Sequence, residues 1–260
     1  MKELNITHKL QSMIENFELL VLVWLIIGLI AFTTLLYIPA PYGKFAKNNW
    51  GPMISSQIGW FVMEIISPMC LLYFYLSGNI EKSITTTIFI TLWVAHYINR
   101  SIIYPLRQNN PAKMPLLIAM LAFIFNIGNG YVNGTFLGSI QSYSFNYMYN
   151  WNFICGFILF IVGAFINIKS DNILLSLRSK SGEYKIPKGF LFKYVSFPNY
   201  FGEILEWVAF ALMTWSIAGL SFMIWTMANL VPRAIAGHKW YEEQFDNYPK
   251  DRRAIFPFIL

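Results

Sequence analysis

Apolar positions fall in long, nearly unbroken blocks along this chain, separated by short polar stretches. A helix needs about 20 mostly apolar residues to cross a bilayer. Seven blocks qualify: residues 17–38, 59–77, 84–104, 114–137, 151–168, 201–215 and 217–231. The last two come from one apolar run of about thirty residues, which as a single helix would be about 45 Å long, well beyond a hydrocarbon core of about 30 Å. A tight reversal near Ala218-Gly219 is therefore expected. The pattern predicts an all-α, multi-pass membrane fold of seven transmembrane helices in one domain spanning 1–260. Its first block is too long for the apolar core of a cleavable signal.

Charge tests that count and gives it a direction. With seven crossings, residues 1–16 and the connections after helices two, four and six carry only Lys2, Lys9 and Lys82. The other sixteen basic residues fall on the opposite side, in the stretches around Lys44, Arg107, Lys169 to Lys193, and the tail from Arg233 to Arg253. Basic loops stay in the cytoplasm, so residues 169–200 and the tail 232–260 are expected there, with 1–16 on the far side. An endoplasmic reticulum membrane and a bacterial inner membrane both satisfy this topology. A count of six or eight helices would destroy the asymmetry.

Composition agrees. Of 260 residues, 56% are hydrophobic and 12% charged, where a soluble domain carries about 25% charged. The formal charge of +6 raises the question of nucleic acid, but its confinement to one side points to the bilayer instead. Cys70 and Cys155 both sit in apolar stretches and make neither a disulfide framework nor a metal-ligand spacing. The chain is expected to act as a monomer, without metal.

The informative positions are polar residues inside apolar blocks. Glu64 lies about a third of the way through helix two, where an ionised carboxylate costs about 2.5–3.5 kcal/mol on insertion scales. A carboxylic acid kept neutral by an apolar surround is a hydrogen-bond donor and can polarise a carbonyl; the alternative is a packing residue paired with a hydroxyl or the backbone. On helix three, Tyr97, Arg100 and Tyr104 form one stripe, either lining a site or snorkelling to the interface. Helix five ends with Asn167, Asp171 and Arg178. Helix six opens with Asn199, Glu203 and Glu206, and the last helix runs into Arg233, His238 and Tyr241. Three polar clusters at cytoplasmic helix ends imply a hydrophilic recess open to that side. Its mixture of guanidinium groups and acceptors suits a phosphate-bearing ligand. The basic loop beyond Lys169 is either a lid over that recess or a solvated positive-inside loop.

Standard cofactor and metal signatures are missing. No Gly-x-Gly-x-x-Gly follows a strand, and Gly128-Asn-Gly130 lies within an apolar helix. With three histidines, His8, His96 and His238, and no His-Glu-x-x-His, a metal centre has no basis here.

Taken together, the segments resemble the steroid 5-alpha-reductase family, as a bacterial-like or plant-like member. The resemblance rests on Asn167-Ile-Lys-Ser-Asp171 with Leu177-Arg178 beyond it, and on Gly182-Glu-Tyr184-Lys-Ile-Pro187-Lys-Gly189 running into Asn199-Tyr-Phe-Gly-Glu203-Ile-Leu-Glu206-Trp207. It rests also on Val231-Pro-Arg233-Ala234, His238-Lys-Trp-Tyr241, Tyr248-Pro-Lys250 and Ile255-Phe-Pro257. Upstream, Ala40-Pro-Tyr-Gly43, Trp60-Phe-Val-Met-Glu64 and His96-Tyr97 with Arg100 are similar too. The resemblance implies seven membrane helices and NADPH-dependent reduction of the 4,5 double bond of a 3-oxo-4-ene steroid. Glu64 and Tyr97 would hold the 3-oxo group. Arg100, Tyr104, Asn167, Asp171, Arg178, Tyr184, Lys185, Asn199, Glu203, Arg233, His238 and Tyr241 would contact NADPH. Two departures stand out. Helix four is apolar around Leu121, where some members carry a basic residue, and Lys185 replaces an arginine, keeping the charge but losing the bidentate fork. A reductase of polyprenols or enoyl thioesters, a membrane methyltransferase, and a non-enzymatic lipid carrier or channel are the alternative readings.

Overall fold

The computed structural model describes residues 2–47, 49–108, 111–177 and 184–260. Among the described residues seven helices of 15 residues or more follow one another: α1 Lys2–Tyr37, α2 Ser56–Ser77, α3 Ile84–Ile98, α4 Leu116–Thr135, α5 Trp151–Leu177, α6 Pro198–Thr214 and α7 Ile217–Gln244. Each apolar block of the sequence falls on one of them. Four stretches are long and apolar enough to cross a membrane: Gln11–Tyr37, Ser56–Ser77, Leu116–Ile140 and Trp151–Leu177. The α3 and α6 helices are shorter, 15 and 17 residues, and the last third of α7 is polar.

The helices overrun their apolar blocks where polar residues have a use. The α5 helix passes 168 and carries Asp171 on the same face as Asn167 before ending at Leu177. The block 84–104 does not form one regular helix. It is α-helical to Ile98, opens into a π-helical segment Asn99–Ile103, and closes with one turn, Tyr104–Leu106, around Pro105. A proline ring clashes with the preceding turn, and widened turns of this kind often re-aim side chains at functional sites. Arg100 lies inside this one.

One expectation needs correction. The fold is not purely helical: β1, Met53–Ser55, pairs antiparallel with β2, Lys113–Pro115, placing Ile54 opposite Met114. Met114, expected to begin a span, is extended because the following proline disfavours the helical region, and helix α4 starts only at Leu116. The chain reverses at Trp215-Ser216, between the blocks 201–215 and 217–231, as the sequence pattern expects. Trp215 adopts a left-handed conformation that ends α6, and the Ser216 side chain caps α7 by accepting from the Gly219 N–H at 2.9 Å. Gly219 serves inside the first turn of α7, where a β-carbon would sit 2.6 Å from the Thr214 hydroxyl.

Two pairs, α5 with α6 and α2 with α4, pack most intimately. Both use small residues, which let backbones approach where lipid offers no hydrophobic drive. A β-carbon on Gly202 would lie 2.5 Å from the Asn167 backbone nitrogen and 2.7 Å from the Gly163 oxygen. On α4 and the π-helical segment Phe136–Ile140 that continues it, Gly130, Gly134 and Gly138 recur every fourth residue against the Ser67, Leu71 and Tyr75 carbonyls of α2. An aromatic core on α3, α6 and α7 fills the centre, with the Trp93 ring 4.9 Å from Trp207, 5.2 Å from Phe210 and 4.5 Å from Phe222.

Candidate active site

Glu64 and Tyr97 come together through a residue that the sequence reading passed over. Asn126 of α4 is 2% exposed. Its Oδ1 accepts from the Tyr97 hydroxyl at 3.1 Å, and its Nδ2 donates to the Met63 carbonyl at 2.6 Å and towards Glu64 Oε2 at 3.5 Å. Three helices thus converge on one amide. Pro68, inside α2, removes the N–H that would have bonded the Glu64 carbonyl one turn back. Tyr97 is held by aromatic neighbours, its ring 5.6 Å from Trp93 and 6.0 Å from Trp207. Beside it, buried His96 meets buried Glu206, with Nδ1 2.9 Å from Oε2; the second Glu206 oxygen has no partner.

One turn along α3, Arg100 anchors a charged cluster. Its Nη1 donates to Asp171 Oδ2 at 3.0 Å, and Nη2 lies 3.8 Å from Glu203 Oε2. Asn199 donates to the other Asp171 oxygen at 3.0 Å, and Asn167 donates to the Asn199 carbonyl at 3.0 Å. Hence α3, α5 and α6 are tied at their ends by Arg100, Asn167, Asp171, Asn199 and Glu203. The guanidinium also lies over Trp60 at 4.7 Å and Tyr104 at 5.1 Å. Two buried polar atoms here, Ser170 Oγ and Asn199 Oδ1, have no hydrogen-bond partner among the described residues.

A second cation is built differently. Arg233 of α7 donates to the Tyr200 hydroxyl at 3.0 Å and to the Ala40 and Tyr42 carbonyls at 3.2 and 3.1 Å, and it stacks over the Tyr42 ring at 3.4 Å. Among the described residues no carboxylate lies within ion-pair distance of it, so its charge is uncompensated. Lys44, also passed over by the sequence reading, stands beside it. Its ammonium donates to the Gly237 carbonyl at 3.1 Å and lies over Tyr241, Phe197 and Trp240 at 4.2, 4.7 and 4.7 Å. Burial, reinforced by the like charge of Arg233, brings the Lys44 amine down to about 7. Tyr42, buried against the same cations, is pushed up to about 12 by desolvation. Tyr42 meets Trp60 edge-on at 6.4 Å, so an unbroken ladder of rings and guanidinium groups runs from Arg233 to Arg100.

The remaining expected residues surround this ladder. His238 Nδ1 lies 2.6 Å from Ser196 Oγ, which is 2.6 Å from the Tyr248 hydroxyl, and Nε2 lies 3.3 Å from Glu242. Burial pushes the His238 imidazole down, against the pull of Glu242. Tyr241 stacks on Tyr248 at 5.3 Å, and Tyr184 meets Trp240 at 5.1 Å. Lys185 is exposed. Arg178 lies outside the described residues.

The comparisons with known proteins bear on this arrangement. The family described as 3-oxo-5-alpha-steroid 4-dehydrogenase matches residues 112–260. Steroid 5-alpha-reductase DET2 of Gossypium hirsutum is 42% identical over 243 residues, covering 90% of this chain and 93% of the relative. The protein of that name from Arabidopsis thaliana is 41% identical, covering 86% and 88%. The 3-oxo-5-alpha-steroid 4-dehydrogenase 1 of Rattus norvegicus is 36% identical, covering 90% and 92%.

Proposed function

The chain belongs to the 3-oxo-5-alpha-steroid 4-dehydrogenase family, and from that premise we propose that it reduces the 4,5 double bond of 3-oxo-4-ene steroids with NADPH, holding the substrate carbonyl between Glu64 and Tyr97. It is a membrane oxidoreductase acting on a C=C bond. The reading is carried by one observation: α3 presents Tyr97, joined to Glu64 through Asn126, and one turn later Arg100, joined to Asp171 and Glu203. An oxygen-binding pair and a polar cluster therefore share a single helix.

The donor set fits NADPH. Arg233 and Lys44 hold positive charge without a carboxylate partner, which suits phosphate, while the orphaned Ser170 and Asn199 oxygens suit a ligand rich in hydroxyls and amides. Arg100, Tyr104, Asn167, Asp171, Asn199, Glu203, Arg233, His238 and Tyr241 would hold it, with Arg178, Tyr184 and Lys185 contributed by the connection from α5 to α6. When bound, NADPH supplies a hydride to the β-carbon of the enone.

The chain's own part is at the oxygen. Tyr97 and protonated Glu64 donate hydrogen bonds to the carbonyl, whose oxygen gains electron density as the β-carbon is reduced. Donors fixed before the reaction stabilise that charge more in the transition state than in the ground state. The enolate then takes a proton at its α-carbon from water or a nearby acid, which completes the two-electron reduction. The helices form seven spans, with the polar ends of α5, α6 and α7 in the cytoplasm where NADPH is available, in the endoplasmic reticulum or a bacterial inner membrane.

Purified protein in detergent, given NADPH and testosterone or progesterone, should consume absorbance at 340 nm and yield a product two mass units heavier than the steroid. No steroid-dependent oxidation of NADPH, for either steroid, would contradict the reading.

A further inference from the structure

We infer that Asn126 is a positioning residue for the reduction, fixing which way the Tyr97 and Glu64 protons point. The inference rests on the reading of Tyr97 and Glu64 as the carbonyl-binding pair. Helix α4 is apolar from Leu116 to Phe125, and a buried amide in such a setting is costly unless its groups are bonded. All of those contacts run to α2 and α3, and both lead to the same two side chains.

The orientation of the amide follows from its partners. The Met63 carbonyl can only accept, so at 2.6 Å it must face the NH2 end of Asn126. The oxygen end is thereby turned to Tyr97, and at 3.1 Å the phenol must be the donor. The same NH2 group reaches towards Glu64 Oε2 at 3.5 Å, so that oxygen is an acceptor. A proton on Glu64 then sits on Oε1, the oxygen turned away from Asn126. One backbone carbonyl thus orients the amide, and the amide orients both donors. A bound enone oxygen takes over from Asn126 as the acceptor for the single Tyr97 proton, so the amide holds the phenol in place until the carbonyl arrives.

This explains how the pair is held on helices that are far apart in sequence and do not fix each other's side chains. A displacement of about 1 Å in such a site is worth roughly a hundredfold in rate. Removing the amide should therefore lower kcat far more than it alters NADPH affinity.

The test compares N126L and N126D with Y97F in the same assay, with NADPH binding followed by tryptophan quenching. N126L, close to the same shape but apolar, should keep NADPH affinity within about twofold and lose roughly tenfold to a hundredfold in kcat. N126D provides the second readout. A neutral aspartic acid can accept from Tyr97 and donate to Met63, as the amide does, whereas the carboxylate puts a charged oxygen against the Met63 carbonyl and Glu64. The rate of N126D should rise as pH falls across the range where wild type is flat. Wild-type kcat in N126L, or an N126D pH profile superimposable on wild type, overturns the inference while leaving the reading of the pair intact. Near wild-type turnover by Y97F overturns the reading on which it rests. If N126L fails to fold, the N126D profile decides alone.

Discussion

Tyr97 and Arg100 stand one turn apart on α3, yet they anchor polar groups of opposite kind. At the Tyr97 hydroxyl the structure is sparing: one phenol, one carboxyl and one amide, bonded in series and walled by Trp93 and Trp207, with the His96–Glu206 pair beside them. Around Arg100 it is dense, with two carboxylates and two aromatic rings on one guanidinium and two asparagines bonded in series behind Asp171. Further out, Arg233 and Lys44 hold their charge with carbonyls, a phenol and aromatic faces. Depth accounts for the difference. In the apolar middle of a helix bundle a charge is expensive, so the inner group uses neutral donors, which suffice for a single oxygen. At the helix ends carboxylates, carbonyls and aromatic faces surround the cations, so they can gather and face a polyanion.

The comparison breaks most visibly at its inner end. Tyr97→Phe and Glu64→Ala should each lose about 10²–10³ in kcat, the usual effect of deleting one preorganised donor at a developing oxyanion, while NADPH binding in a fluorescence titration stays intact. At the outer end, Arg233→Gln should do the reverse. Loss of a charge-assisted contact of about 1.5–3 kcal/mol should raise the cofactor KM roughly tenfold to a hundredfold, with a smaller change in kcat.

A third change tests the frame that holds both groups. Gly202→Ala puts a β-carbon into the Asn167 and Gly163 backbones, which cannot yield as a side chain can. It should cost about 1–3 kcal/mol, visible as a lower Tm in detergent even with the site residues unchanged.

The smallest effect concerns pH. With Lys44 titrating near 7, its charge is present at pH 6 and largely gone at pH 8, so NADPH affinity should weaken as pH rises, and Lys44→Met should flatten that dependence. The stability sign is opposite. Burial places the folded-state value below the ordinary lysine range, so the unfolded chain holds the proton over the window from about 7 upward, and wild type gains stability with rising pH there. Thermal melts at pH 7 and pH 9 check this against the Lys44→Met variant.

The largely helical fold and its four membrane-length helices were readable because unbroken apolar runs leave the chain few alternatives in lipid, and Arg100, Asn167, Asp171 and Asn199 were readable as polar exceptions to those runs. What escaped was pairing across the bundle. Asn126 is one of three buried asparagines on α4, and its partners lie 29 and 62 residues away, so no local pattern singles it out. The Gly130, Gly134 and Gly138 repeat is present in the sequence, but only contact with the α2 carbonyls gives it meaning. Lys44 looked like one more basic loop residue because its cage of Phe197, Trp240 and Tyr241 is assembled from helices at the far end of the chain. The β1–β2 pair is too short for a period to register.

The central claim concerns where a hydride and a ketone meet, and isotope transfer reads that directly. Turnover of testosterone with NADPH deuterated at the transferable position of C4 should give a product one mass unit heavier than with unlabelled cofactor, the deuterium lying on the former β-carbon. A product formed without deuterium, or labelled at the α-carbon, would contradict it.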